Sequence, residues 1–244
     1  MSILSVRGLH RSVGDTQILR GIDLEVSAGE AIGVIGPSGS GKSSLLRCIA
    51  GLDPIAAGSV AVEGRATRPG DGAIGMVFQQ FNLWPHLTAR ENVALALRLV
   101  RKLPAREADA KAEAALAQVG LAPLAARKPA ALSGGQQQRV AIARTLAMQP
   151  RVLLFDEPTA ALDPELTTEV LDVIRTLAAG GTTMLVVSHE MGFVASLATR
   201  VVFLDHGEVV QSGPPATIFG GGGAEPRIQA FLQTYLSRVA WTKA

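Results

Sequence analysis

Ala31-Ile32-Gly33-Val34-Ile35-Gly36-Pro37-Ser38-Gly39-Ser40-Gly41-Lys42-Ser43 is the stretch that decides how this chain folds. Its first five residues form an apolar run of strand length. The eight that follow have the spacing of a loop that wraps phosphate, G-x-x-x-x-G-K-S. Glycines let such a backbone curl until successive N–H groups point inward, and the helix opened by Lys42, Ser43 and Ser44 adds its positive end. Lys42 then reaches the β- and γ-phosphates of a nucleotide, and the Ser43 hydroxyl is placed to ligate Mg²⁺. A strand, a tight loop and a helix in this order belong to an α/β protein built on a largely parallel sheet.

The flanking sequence extends that reading in both directions. Ile22, Leu24 and Val26 alternate with polar neighbours, and Gly58 to Val62 is a second short strand candidate, so a small antiparallel sheet is expected near the N-terminus. Thr88, with Glu91 three residues on, forms a capping box for a helix to Leu99, and a second helix is expected from about Pro104 to Val119, stopping at Gly120. These helices, within about 88–145, read as a helical subdomain inserted into the core. A strand at Val152 to Phe155, a helix from Pro164 to Ala179 capped by Asp163 and ended by Gly180, and a strand at Thr183 to Val187 resume the alternation. Gly220 to Gly223 reads as a flexible joint before a last helix, about 225–239. There Ile228, Phe231, Leu232, Tyr235 and Leu236 keep helical spacing, a stripe expected to pack on its own domain, with a subunit contact as the alternative.

Composition narrows the function. The chain has 244 residues, 48% of them hydrophobic and 18% charged, which excludes a disordered tail and allows one large domain or two small ones at roughly 100–200 residues per domain; the motif order is read as a single domain. A net charge of +2 from 23 basic and 21 acidic residues is too balanced for a polycation that coats nucleic acid. The basic run of Arg98, Arg101, Lys102 and Arg106 reads as a solvated face. One cysteine, Cys48, forms no internal bridge and fits a reducing compartment. No stretch reaches the roughly 18 apolar residues of a membrane span, and MSILSVRGLH lacks the apolar core of a signal peptide, so a cytosolic location is expected.

Two further stretches carry chemistry. Val152 to Phe155 is an apolar strand that ends in Asp156 and Glu157. Such a strand delivers the first carboxylate to a magnesium shell, while the second orients or deprotonates an attacking water. Leu132-Ser133-Gly134-Gly135-Gln136-Gln137-Gln138-Arg139 contains a capping box, Ser133 with Gln136, but a cap alone does not require Gly134-Gly135. Small residues at a helix start admit a phosphate closely.

On these residues the chain resembles the ATP-binding-cassette ATPases, whose signature sequence LSGGQQQR matches. The resemblance implies ATP and Mg²⁺ as ligands. It also implies roles for residues that spacing alone does not single out. Gln79, in Val77-Phe78-Gln79, resembles the glutamine that joins metal and water to a transmembrane partner; Asp163 resembles the D-loop aspartate; His189 resembles the switch histidine at the γ-phosphate. Val13 lies where many cassettes stack an aromatic ring on adenine. Ser133, Gly134, Gly135 and Gln136 are implied to complete the site on a second copy, which makes the working unit an ATP-closed dimer.

The stretches Val77 to His86, Leu132 to Arg144 and Ser188 to Phe193 are similar to polar amino-acid importers. That likeness implies transmembrane permease subunits as partners, docked around Gln79 to His86 with Phe81 and Trp84 exposed. It further implies an indirect link to a solute-binding protein, no nucleic acid, and a place on the inner face of the cell membrane. A cassette for lipoprotein release or cell division is the alternative. A nucleic-acid cassette is the remote third reading, because the chain has no second cassette, coiled coil or zinc-binding cysteines.

Overall fold

The computed structural model describes residues 2–68, 70, 72–220 and 223–240, with side chains to residue 234. In chain order the elements are β1 (Ser2–Val13), β2 (Thr16–Ser27), β3 (Ala31–Ile35), α1 (Lys42–Ile49), β4 (Ala57–Val62), β5 (Arg65–Ala66) and β6 (Ile74–Val77). There follow α2 (Ala89–Leu99), α3 (Ala105–Gln118), α4 (Gly134–Ala147), β7 (Val152–Asp156) and α5 (Pro164–Ala179). The chain continues through β8 (Met184–Val187), α6 (Met191–Leu197), β9 (Arg200–Asp205), β10 (Glu208–Gly213), α7 (Pro215–Phe219) and α8 (Pro226–Ala240). These fall into two compact units, residues 1–67 with 183–244 and residues 68–182.

The first unit holds two layers of strand. One is the expected antiparallel sheet, in the order β2-β1-β4-β5. The other is the run β10-β9-β3-β8, in which β3 lies parallel to β8 and β9 while β10 returns antiparallel. All five residues of β3 are buried, as befits a strand covered on both faces. β1 escapes the alternation test because its register shifts between Val6 and Leu9, where Gly8 takes φ +51°. The buried positions pass from Leu4 and Val6 to Leu9, and a period-2 pattern is lost at the bulge. β9 and β10 likewise lie outside the elements that the pattern predicts.

In the second unit β6 and β7 pair in parallel, Val77 beside Phe155. Helices α2, α3 and α4 pack on one another, and Val93, Leu97, Ala112, Leu116, Val140 and Ile142 are buried along them. Both expected capping boxes form, at Thr88 with Glu91 and at Ser133 with Gln136. Asp163 does occupy the N-cap position of α5, but its side chain makes no cap bond; the helix ends at Gly180 as expected, and Gly181 beyond it is left-handed at φ +79°. Leu166 and Thr167 instead send their N–H groups to the Asp163 carbonyl, which leaves the exposed carboxylate clear of the helix.

Within the basic run, Arg98 pairs with Asp109 at 2.5 Å and Arg101 donates to the Met148 carbonyl at 2.9 Å, so both also tie elements together. Gly221 and Gly222 of the predicted joint lie outside the described residues, as do the side chains of Tyr235 and Leu236. Of the helical stripe that is described, Ile228 is fully buried and Phe231 and Leu232 are half-buried.

Candidate nucleotide site

In an open parallel sheet, ligands sit beyond the carboxyl ends of the strands. In the first unit Val34 of β3 pairs with Val187 of β8, so the loop 36–43 and the segment carrying His189 leave the same sheet edge. Gly41 closes the loop at φ +103°; a side chain there would press on the Ile18 carbonyl and the Leu19 side chain, so only glycine fits. Lys42 is 6% exposed and folded back into the loop, its Nζ donating to the carbonyls of Gly36 at 2.9 Å and Pro37 at 2.8 Å.

The Ser40 N–H bonds the Pro37 carbonyl, while the Ser40 Oγ is buried with no protein partner. No acid lies in the first turn of α1. A cradled ammonium, an unpaired buried hydroxyl and a helix start free of carboxylates together suit a polyanion. Gly36 and Ser40 are buried, Pro37 and Ser44 half-buried, and Ser38, Gly39 and Ser43 face solvent. His189 is exposed, and the neighbouring Ser188 hydroxyl accepts the Glu190 N–H at 3.1 Å. Val13 is 56% exposed at the end of β1, beside the turn into β2.

The second unit repeats the arrangement with different groups. Because Val77 pairs with Phe155, the segment bearing Gln79 and the pair Asp156-Glu157 emerge at one edge. Glu157 takes φ +49°, a left-handed conformation that costs a side-chain-bearing residue about 1–3 kcal/mol and turns the chain sharply at the strand's end. No sequence rule flags that strain.

At α4, the Ser133 hydroxyl accepts the Gln136 N–H at 3.2 Å and the Gln136 side chain accepts the Ser133 N–H at 3.0 Å. The amides of Gly134 and Gly135 have no partner inside the helix, as for any first turn. The two glycines also have a packing reason: a side chain on Gly134 would meet Leu162, and one on Gly135 would meet the Leu166 carbonyl at 3.2 Å.

Three residues that carried no role in the sequence reading hold the Gln79 segment. Fully buried Gln138 donates to the Phe78 carbonyl at 3.0 Å, and Arg144 donates to the carbonyls of Phe81 at 3.1 Å and Asn82 at 2.7 Å. Burial pushes the Arg144 pKa below its ordinary value, and its guanidinium lies over Trp84 at 5.9 Å from the ring centroid. Asn92, 1% exposed, accepts the Trp84 N–H at 2.7 Å and donates to the Trp84, Leu87 and Thr88 carbonyls. A signal existed for it, since Asn92 interrupts the apolar face of Ala89, Val93 and Leu97. Trp84 is exposed as expected, whereas Phe81 is half-buried with its ring beside Gly134.

A phosphate loop at the edge of a mixed α/β sheet, an acidic strand end and a doubly capped glycine pair define a P-loop nucleotide-binding protein. Residues 19–160 match the ABC transporter family, and the chain belongs to it. It is 47% identical to the glutamine transport ATP-binding protein GlnQ of Escherichia coli K12 over 240 residues, covering 95% of this chain and 99% of that one. Against the histidine/lysine/arginine/ornithine transport ATP-binding protein HisP of the same organism it is 47% identical over 249 residues, with 94% and 96% covered. The dimeric, post-hydrolysis structure of the ATP-binding cassette MJ0796 with ADP and Pi superposes with a TM-score of 0.75 at 35% identity, over 87% of this chain and 98% of that one. The protein binds ATP and is an ATPase, the motor subunit of an ABC transporter.

Proposed function

We propose that this ATPase drives uptake of polar amino acids through a membrane permease supplied by a solute-binding protein. The observation that carries the reading is near-complete alignment, at 47% identity, with subunits named for glutamine and for basic amino-acid transport. Among the described residues no helix is long and apolar enough to cross a membrane. Separate permease subunits are the proposed path for the solute. The motor works on the inner face of the cell membrane, with Gln79 to His86 as its contact to the permease.

The roles of Lys42, Ser43, Asp156 and Glu157 follow from their chemistry, and those of Gln79, Asp163, His189 and residues 133–136 from the family resemblance. The backbone of Gly36 to Gly41, with Ser38, Ser43 and Ser44, holds the phosphates, and Lys42 leaves its two carbonyl partners for the β- and γ-oxygens. Ser43, Asp156 and Gln79 offer hard oxygen donors of the kind Mg²⁺ prefers, and the ion, when bound, neutralises charge on the β- and γ-phosphates. Glu157 takes a proton from the water that attacks the γ-phosphorus. The bond to the β–γ bridging oxygen breaks, giving ADP and phosphate, and His189 steadies the γ-oxygens. Ser133, Gly134, Gly135, Gln136 and Asp163 serve the nucleotide of a second copy, so ATP closes a dimer and hydrolysis opens it.

Glu157→Gln should therefore keep ATP binding while turnover falls by about 10²-fold or more. Size-exclusion chromatography with ATP and Mg²⁺ should then trap a dimer, and a monomer under those conditions would contradict the dimer reading. For the solute, the assembled transporter in proteoliposomes should hydrolyse ATP faster with an amino-acid-loaded binding protein. A response only to a lipid substrate or a division protein overturns the importer reading.

A further inference from the structure

Helix α8 is joined to the phosphate loop through a single turn. Its approach is pinned by Gln211, whose side chain donates to the Gly223 carbonyl at 2.8 Å and accepts the Glu225 N–H at 2.9 Å. Buried Ile228 and an edge-on contact of Phe231 with Phe203, 5.4 Å between centroids, seat the helix on β9. From this helix Arg227 Nε donates to Oδ2 of Asp205, the last residue of β9. Asp205 is only 6% exposed, and the His206 ring lies 3.7 Å from its carboxylate. A carboxylate that buried depends on its charged partner.

The residues around Asp205 form the wall behind the phosphate loop. The Leu204 carbonyl lies where a Cβ on Gly36 would fall, 1.9 Å away, and the Leu204 side chain faces Gly41. The Gly207 N–H donates to the Ser40 carbonyl at 3.0 Å, and the Gly207 carbonyl accepts the Arg20 N–H at 2.9 Å. The turn has one shape open to it: His206 and Gly207 are both left-handed, at φ +46° and +80°, and a side chain on Gly207 would strike the Ile18 carbonyl at 2.3 Å.

We propose that Arg227 is a positioning residue for nucleotide binding, acting through Asp205 and the Leu204–Gly207 turn on the backbone of the phosphate loop. With Arg227 in place, the buried carboxylate locks the turn and the Gly207–Ser40 bond holds the loop ready for phosphate. Without it, Asp205 turns towards water, the turn loosens, and the loop has to be ordered when the nucleotide binds. Once the nucleotide has ordered the loop, Lys42 and the other groups at the γ-phosphate occupy the same places as with Arg227 present, so the chemical step is unchanged. Affinity is what changes. The inference rests on the reading that residues 36–43 hold ATP phosphates.

The test uses the full chain as wild type, Arg227→Gln, Arg227→Lys, Asp205→Asn and the double variant Asp205→Asn/Arg227→Gln. Equilibrium binding of ATP and ADP, steady-state hydrolysis and nucleotide-free thermal unfolding are measured for each. Arg227→Gln should weaken ATP and ADP by the same factor, about fivefold, within the range of coupling between groups that share a network. KM should rise with it while kcat stays within about twofold, and Arg227→Lys should recover most of the affinity. The double variant should bind no worse than the weaker single. Unchanged ATP affinity in a destabilised Arg227→Gln would mean that the pair serves stability alone, and additive losses in the double variant would break the proposed route; either result overturns the proposal. Failure of the wild type itself to bind ATP would instead overturn the phosphate-loop reading.

Discussion

Gly36 meets the tightest steric demand in the phosphate loop, since the nearest atom to an added Cβ is the Leu204 carbonyl oxygen, a backbone atom that cannot rotate away. Gly36→Ala should therefore destabilise the fold by about 1–3 kcal/mol, the usual cost of overpacking, and lower ATP affinity as the loop shifts. Thermal unfolding and nucleotide titration on the same preparation check both. Val13 makes the opposite demand, for more surface. At 56% exposure it offers no ring to a base, so phosphate contacts common to ATP and GTP should carry most of the affinity and the two should bind alike. Base stacking is worth about 1–3 kcal/mol, so Val13→Tyr should tighten ATP roughly fivefold or more. Equal KM values for ATP in wild type and variant, with strong preference over GTP in both, would place the adenine contact elsewhere.

At the scale of elements, the segment from Phe78 to Thr88 has no regular structure, yet both flanking helices hold it by name. Gln138 and Arg144 of α4 grip the carbonyls of Phe78, Phe81 and Asn82, and Asn92 of α2 closes its far end. Asn92→Ala leaves the part-buried Trp84 N–H and Leu87 carbonyl without the side chain that satisfies them, at about 1–3 kcal/mol. Urea denaturation should report that loss. In a Trp241→Phe background the emission of Trp84 should also shift to the red as the segment loosens. Asn92→Asp retains the acceptor for the Trp84 N–H and loses the three donated bonds, so it should not restore the wild-type stability.

Over the whole molecule, acid should weaken the fold in a definite window. Asp53 accepts two bonds from Arg47, at 2.9 and 3.2 Å, and one from Arg11, which ties β1 to α1. The Arg47 hydrogen bonds, backed by both guanidinium charges and opposed by burial, hold its pKa below the ordinary value. Glu30 is raised by burial but lowered further by its bonds with Arg200 and the Ser27 N–H, so its net shift is also downward. A carboxyl lowered on folding contributes stability that is complete above its unfolded value, about 3.9 for Asp and 4.3 for Glu, and that is lost as pH falls through the folded value. The denaturation midpoint should thus be flat in these terms from pH 7 to about 5 and drop below about 4. Asp53→Asn should lower the midpoint at neutral pH and flatten the acid limb.

Structure that is local in the chain was legible in the sequence by itself: the strand, glycine loop and helix start at residues 31–43, the apolar strand that ends in Asp156, both capping boxes and the helices α2 to α5. Each depends on residues a few positions apart, or on apolar periodicity within one element. Only the tertiary structure decided the rest. β1 was hidden because its bulge breaks the two-residue period, and the strain at Glu157 because φ is set by the fold around a residue, not by its type. Asn92, Gln138 and Arg144 have meaning through partners from 4 to 63 positions away, most of them backbone carbonyls that carry no sequence signal. Arg227 and Asp205 are 22 residues apart, and nothing in either neighbourhood announces the other. Buried charges and carbonyls must be satisfied wherever the chain happens to bring a partner, and that choice is made in space.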